Sequence, residues 1–355
     1  DKPWAAFTAV LIVACPCVLS QSTPFTLSAV LGIFDRNRFY LKNTDVVEQL
    51  SRVNTIVFDK TGTITSPESI DISFIGILNY EERIMAASVA RNSSHPLSRE
   101  IIKWIKPDSF LEVSNFIEMG GRGVAGFIKS KHVILGSESF VTSSNRINTD
   151  SSCVHFEIDG DYKGYFKVNH KWRNGLKHIF EGLSESFDLH LLSGDNDTDK
   201  NNLRKFFPNP KQMFFKQSPQ NKLDYIKRLQ SGHKSVMMCG DGLNDAGALK
   251  QSDIGIAVSD DINNFSPGCD GILQGESLKL LPRFIQQAKN AMTTIKLSFA
   301  IAIAYNLIGV YFAVQGTLSP LTAAVLMPLS TITILTFASL STRYFARKNK
   351  LNEHA

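Results

Sequence analysis

Residues 3–34 and 297–342 contain no Asp, Glu, Lys, Arg or His. Uncharged apolar runs of that length are not the surface of a water-soluble domain, since about 20 apolar residues suffice to cross a bilayer. The first run is long enough for one crossing. The second is long enough for two, with QGTLSP (residues 315–320) supplying the turn between them. Three membrane segments are therefore predicted to bracket a single polar block, residues 35–296. The near-zero mean hydropathy averages over these unlike parts and does not mark a soluble chain.

Cysteine is also scarce. Two of the five stand in a Cys-Pro-Cys at Cys15 and Cys17, and the others are scattered at Cys153, Cys239 and Cys269, which excludes a disulfide framework and fits a reducing cytosol. The formal charge is only +5. It is accounted for by basic residues at the membrane junctions: Arg36, Arg38 and Lys42, then Lys289 and Lys296, then Arg343, Arg347, Lys348 and Lys350. These flanks predict a cytoplasmic polar block and leave no basic patch for nucleic acid. The chain opens on Asp1 rather than Met, just before a hydrophobic run and without a signal peptide, so an N-terminally truncated fragment is expected.

What is present is a set of apolar strands that end in acidic loops. VNTIVFDKTGTITSP delivers Asp59 to the end of a buried strand, and FDLHLLSGDN ends at Ser193-Gly194-Asp195-Asn196. KSVMMCGDGLNDAGAL ends at Gly240-Asp241-Gly242, with Asn244-Asp245 opening a helix. Active groups of open α/β sheets sit at such strand ends. A carboxylate-rich pocket of this kind suits phosphoryl transfer. Asp59 would be the nucleophile, Asp241 would share a Mg²⁺, Lys222 of SPQNKLDYIKRL would be the cation, and Thr61 and Ser193 the donors.

The pair DKTGT (residues 59–63) and GDGLNDA (residues 240–246), about 180 residues apart, resembles the P-type ATPases, membrane pumps of the haloacid-dehalogenase superfamily. The resemblance implies an α/β fold plus transmembrane helices: a haloacid-dehalogenase-like parallel-sheet phosphorylation domain with an inserted α+β nucleotide-binding domain. It implies that Asp59 becomes phosphorylated and that Asp241 and the Thr61 carbonyl, with Asp59, hold Mg²⁺. It further implies that Lys222 and Ser193 contact the phosphoryl group, with Lys60, Gly194, Asp195, Asn244 and Asp245 completing the site. Ser193 departs from the usual Thr but keeps the hydroxyl. Soluble phosphatases of the superfamily generally carry a second Asp where Thr61 stands, so a longer-lived phosphoenzyme is expected.

Residues 68–168 form an insertion large enough to be a domain. It carries SSHPLSREI and EMGGRGVAGFI. Alone, His95-Pro96 would be a helix N-terminal turn and Gly121-x-Gly123 a weak glycine signal. In this position they are similar to the nucleotide-binding domain of the heavy-metal branch of these pumps. That likeness implies that His95 packs against adenine, that Glu118 lies near its amino edge, and that Gly121 and Gly123 admit the nucleotide backbone. The implied limits are residues 1–42 for the first membrane helix, 43–67 and 169–282 for the split phosphorylation domain, 68–168 for the nucleotide domain, and 283–355 for two further helices and a tail.

Pro16 removes a helical N–H, and opening the turn there can let Cys15 and Cys17 converge, although side chains two apart on an intact helix point apart. Thiolates suit a soft d¹⁰ ion such as Cu(I). The alternative is a proline kink with two small cysteines in the packing. The Cys-Pro-Cys lies about 40 residues before DKTGT, as in the heavy-metal pumps, although VLSQSTPF is more polar than their usual continuation. Tyr305-Asn306 in one crossing and Met327-x-x-Ser330 in the other resemble the copper(I)-type pumps. No charged residue stands in either crossing, where zinc and cadmium pumps would place a Lys and an Asp.

The resemblance covers essentially the whole chain but lacks the actuator domain and the preceding helices. It implies ATP-driven export of Cu(I), or Ag(I), with Mg²⁺ and ATP as cofactors. It also implies a cytosolic copper chaperone as partner and a multi-pass location in a plasma membrane, here a bacterial inner one. An incomplete pump is expected, able to bind ATP but not to complete transport. The competing readings are a membrane-tethered phosphatase of the same superfamily and a pump for zinc or cadmium. Gln274-Gly275-Glu276-Ser277 is expected to be a surface turn. NHKWRNG keeps Arg173 but has Asn169 where the family usually has Asp.

Overall fold

The computed structural model describes residues 2–15, 17–120, 122–142, 153–195, 200–207, 209–242, 245–260 and 268–351. Gly121, Asn196 and Asn244, together with Pro16 and the side chains of Cys17 and Asn169, lie outside the described positions. The chain divides into two units, one of them centred on Thr65–Trp172.

The first unit is built on a seven-stranded sheet. Its order is Phe39–Leu41, Gly271–Gln274, Ile254–Ser259, Val236–Gly240, Thr55–Asp59, Asp188–Leu192 and Met213–Phe214, all parallel except the Phe39–Leu41 edge. Thr55–Asp59 and Val236–Gly240 are buried throughout, which is why both read as unbroken apolar runs. From Thr55–Asp59 the chain builds outward through Asp188–Leu192. It then returns to the opposite flank at Val236–Gly240, which places the topological switch point between Asp59 and Asp241.

One face of the sheet is covered by Pro219–Ser231 and Ala246–Gln251, with Val57, Met238, Ile226 and Leu249 in a common core. On the other face Phe58 packs edge-on to Phe180 of the helix Leu176–Ser184 at 5.2 Å.

The first uncharged run forms two helices, Lys2–Val13 and Cys17–Arg36, with the chain out of helical form at Ala14-Cys15, immediately before Pro16. Among the described residues, two helical stretches are long and apolar enough to cross a membrane, Gly275–Val314 and Pro320–Lys348. Lys2–Val13 is too short to qualify by itself, and the polar Ser20, Gln21, Ser22 and Thr23 dilute the longer second half.

These helices pack through small residues. Ala9, Val13, Ala313 and Ala323 share one cluster, and a Cβ on Gly309 would come within 2.5 Å of Val13. Hydroxyls and amides add cross-links, Thr294 to Ser341 at 2.9 Å and Asn349 to Gln287 at 2.9 Å. At the base, three fully buried rings join the helix ends to the sheet edge. Phe34, Phe39 and Phe284 have centroids 4.9–5.4 Å apart.

The second unit is a six-stranded antiparallel sheet in the order Thr65–Gly76, Asp161–Trp172, Cys153–Ile158, Lys131–Gly136, Gly123–Ile128, Ser114–Met119. Its core includes residues of the helices Tyr80–Arg91 and Pro96–Ile105, among them Met85, Val89 and Ile101, with Phe156 and Phe166. Its two outermost chain segments are long strands paired from Thr65↔Trp172 to Gly76↔Gly164. The sheet therefore takes in residues 65–67 and 169–172, which the sequence reading left with the phosphorylation domain.

Candidate active site and nucleotide cleft

Strand register sets the first site. Asp59 is the last residue of its strand and pairs with Leu192, while Cys239 pairs with Phe58 on the other side. The next residues along the two neighbours, Ser193 and Gly240-Asp241, therefore flank Asp59. Lys222 reaches up from the first turns of Pro219–Ser231, a helix capped by the Ser218 hydroxyl and started by Pro219. Its Nζ lies 2.6 Å from both Asp59 Oδ1 and Asp245 Oδ1, and all three side chains are almost wholly buried.

The electrostatics of this triad are uneven. Burial, with Asp245 and Asp241 nearby, pushes the Asp59 carboxyl up to about 7 against the opposing pull of Lys222. Burial likewise raises Asp245. Burial works against the charge on Lys222, but the two carboxylates overcome it and its pKa is raised. One cation thus faces more acid than it neutralises.

A pH test follows. The folded chain holds the Asp59 proton up to about 7 and the unfolded chain releases it near 3.8, so in Mg²⁺-free buffer this group makes stability fall as pH rises between those values. Asp59→Asn is expected to flatten that part of a Tm-against-pH profile. An unchanged slope would mean that Asp59 is already ionised there.

The loop after Asp59 is held open by two devices. Gly62 has φ +74°, and a Cβ there would meet the Asp241 side chain at 3.1 Å. Arg173 donates from Nε to the Thr63 carbonyl (2.7 Å) and from Nη2 to the Gly62 carbonyl (2.9 Å), and it forks onto Asp260 at 2.7 and 2.9 Å. Asp260 was not singled out in the sequence, and only its bidentate geometry with Arg173 identifies it.

Asp195 accepts from Thr61 Oγ1 and pairs with Lys60, both at 2.8 Å. The Asp195 N–H donates to Ser193 Oγ, leaving that hydroxyl's hydrogen to point elsewhere. Among the described residues no group of three or more His, Cys, Asp or Glu side chains is assembled for a metal. A Mg²⁺ held by Asp59, Asp241, the Thr61 carbonyl and phosphate oxygens needs no such group. The surplus of carboxylate over Lys222, and a buried Asp245 Oδ2 with no hydrogen-bond partner, fit a cation there.

Gly275-Glu276-Ser277 is not a surface turn. Gly275 and Ser277 are buried at the start of a 3₁₀ turn, Gly275–Leu280, that runs into the helix Leu281–Val314. A Cβ on Gly275 would fall 1.9 Å from Arg173 Nη1 and 2.1 Å from Asp260 Oδ1. Where a surface turn was expected, the structure has a packing glycine.

The second unit carries a cleft of ≈ 250 Å³ lined by His95, Glu118, Arg122, Gly123, Gly136 and Ser137 among others. His95 is the N-cap of Pro96–Ile105, its Nδ1 accepting from the Leu97 N–H at 3.2 Å, so the ring's Nε2 carries the hydrogen in the neutral form. Ser93 Oγ donates to Glu118 at 2.6 Å. Gly123 is required by its own sheet, because a Cβ would stand 2.3 Å from the Leu135 carbonyl. Gly136 and Ser137 were missed in the sequence, where nothing but a lone glycine marks them.

In the two long apolar helices Tyr305 donates to the Leu326 carbonyl at 3.3 Å, next to Met327, and Ser330 Oγ donates to the Met327 carbonyl at 2.7 Å. Met327 and Ser330 are buried and Asn306 is half-buried. Cys15 is half-buried and disulfide-bonded, a form that would have to be reduced before it could ligate Cu(I). No described contact joins Cys15 to Met327 or Ser330. Burial pushes the thiol of Cys239 up to about 12 and raises that of Cys269, so neither is a ready ligand.

Residues 53–253 match the family described as haloacid dehalogenase-like hydrolases. The chain is 30% identical over 349 residues to a copper-exporting P-type ATPase of Staphylococcus saprophyticus, covering 94% of this chain and 44% of that protein. It is 28% identical to a chloroplastic copper-transporting ATPase of Arabidopsis thaliana, covering 97% and 40%. It therefore spans less than half the length of these relatives. Among solved structures, the catalytic domain of the CPx-ATPase CopB-B matches at 29% identity and TM-score 0.55, covering 70% of this chain and 95% of that one. A zinc-transporting PIB-type ATPase in an E2.Pi state shares the fold, with 22% identity, TM-score 0.74, and 93% and 56% coverage.

Proposed function

Because the chain belongs to the haloacid dehalogenase-like hydrolases, we propose that it is the catalytic and ion-pathway portion of a heavy-metal P-type ATPase, one that exports Cu(I) using ATP. The observation that carries this reading is the buried Asp59–Lys222–Asp245 triad at the switch point of a sheet from which membrane-length helices extend. In this reading the second unit's cleft holds ATP, with His95 against the adenine and Glu118 at its amino edge. Asp59, as carboxylate, attacks the γ-phosphorus in line, the new O–P bond forming as the bond to ADP breaks. Lys222 and the Ser193 hydroxyl face the transferring oxygens.

Mg²⁺, when bound, would neutralise charge between Asp59, Asp241 and the phosphate. Thr61 offers no second carboxylate to activate water, so the aspartyl phosphate persists. Its hydroxyl is instead turned to Asp195.

Two features support copper over zinc or cadmium as the transported ion: the uncharged crossings, and Tyr305-Asn306 with Met327-x-x-Ser330 in them. The names of the two curated relatives agree. A cytosolic copper chaperone would deliver the ion, and a bacterial inner membrane is the proposed location.

The test is labelling of the reduced, detergent-solubilised chain with γ-labelled ATP and Mg²⁺, followed by acid quench and hydroxylamine. A hydroxylamine-labile label absent from Asp59→Asn, and changed in level by Cu(I) but not Zn(II), is expected. Phosphate release with no trapped label would favour the phosphatase, and a response to Zn(II) alone would overturn copper.

A further inference from the structure

The second unit's cleft has polar groups of opposite character. Ser93, His95 and Glu118 form one hydrogen-bonded set, Ser93 Oγ donating to Glu118 and accepting from the His95 N–H at 3.1 Å. The walls between are apolar, Ala90, Ile101, Val124, Leu135 and Val154. Among the described residues that line the cleft, Arg122 is the single cation.

Its backbone is fixed on both sides. The Arg122 N–H donates to the Met119 carbonyl at 3.0 Å, and its carbonyl accepts from the Ser137 N–H at 2.7 Å. A Cβ on Gly136 would come within 2.4 Å of that same carbonyl, so the turn and the Lys131–Gly136 strand are in direct backbone contact. The side chain is exposed, and no described carboxylate forms an ion pair with it.

We infer that Arg122 is the phosphate-reading residue of the cleft, the group by which it prefers nucleoside di- and triphosphates over the nucleoside. The inference rests on the cleft's being the nucleotide site proposed above. The Glu118 carboxylate, an acceptor, suits a neutral base that offers an amino group, and the same carboxylate repels phosphate. The polyanionic end must therefore turn away from Glu118, and the guanidinium is the lining group whose charge and planar fork match phosphate oxygens.

The experiment is calorimetry on the full chain in detergent with adenosine, AMP, ADP and ATP, for the parent, Arg122→Gln and Arg122→Lys. Arg122→Gln is expected to weaken ADP and ATP roughly tenfold, about the value of one exposed charge-assisted contact, while adenosine affinity is unchanged. Arg122→Lys should keep part of the preference, and added salt should weaken ADP in the parent more than in the Gln variant.

Equal ADP affinity in the parent and Arg122→Gln would overturn the inference and leave the nucleotide site standing. So would an equal loss for adenosine and ADP, which would mark a structural role. A parent that binds none of the four would overturn both readings, and Ala in place of Glu118 or His95 would then also be without effect.

Discussion

Replacing Lys222 by Met is expected to abolish the phosphoenzyme and to destabilise the chain by about 3–5 kcal/mol, the range for removing one partner of a buried ion pair. The reason is arithmetic of charge in a dry place. Lys222 is the ammonium against both Asp59 and Asp245, at 2.6 Å from each, and the side chains are at most 6% exposed. Without it, desolvation and the repulsion between carboxylates act unopposed. Asp59, already raised to about 7, then stays protonated at neutral pH and is no nucleophile.

Stability and chemistry separate in the double variant Lys222→Met/Asp245→Asn. Removing one carboxylate relieves the repulsion, so denaturation should recover part of the loss, while the label should stay absent. A Lys222→Met chain with parental melting and parental label would show that the triad is not the phosphorylation site.

The strand-end carboxylates were legible in the sequence because buried parallel strands leave unbroken apolar runs, and a polar or acidic residue closing such a run stands at the strand's C-terminal end, where open α/β sheets form their sites. TIVFD and VMMCG each show this, and their register brings Asp59 and Asp241 to one edge. His95-Pro96 was legible as a helix start for a similar reason, local backbone chemistry. Arg173–Asp260 was not, because a salt bridge between residues 87 apart leaves no local trace in either segment.

The role of Gly275 was misread for the opposite reason. Residues 274–277 were expected to be a surface turn, and the polar Gln274 and Glu276 on either side do meet Arg38, at 2.8 and 3.8 Å. What they conceal is a glycine whose missing side chain is the space that a guanidinium and a carboxylate occupy.

That space makes the second large prediction. Gly275→Ala is expected to reduce phosphoenzyme formation at least tenfold and to cost about 2–3 kcal/mol, the range for leaving buried charged or carbonyl groups unpaired. The new methyl would overlap Arg173 Nη1 and Asp260 Oδ1, and both are tips of movable side chains. Moving them is the damage itself, since Arg173 cannot leave without releasing the Gly62 and Thr63 carbonyls that hold the loop after Asp59.

Gly275→Ala, Arg173→Ala and Asp260→Asn should therefore show similar label deficits, and any two combined should add far less than their sum. Gly32→Ala, where a Cβ meets nothing within 4 Å, is the control expected to keep the label. If Gly275→Ala melts and labels like the parent while Arg173→Ala does not, the fork holds the loop without needing that glycine. Additive losses would mean that Gly275 acts through the start of the Leu281–Val314 helix rather than through Arg173.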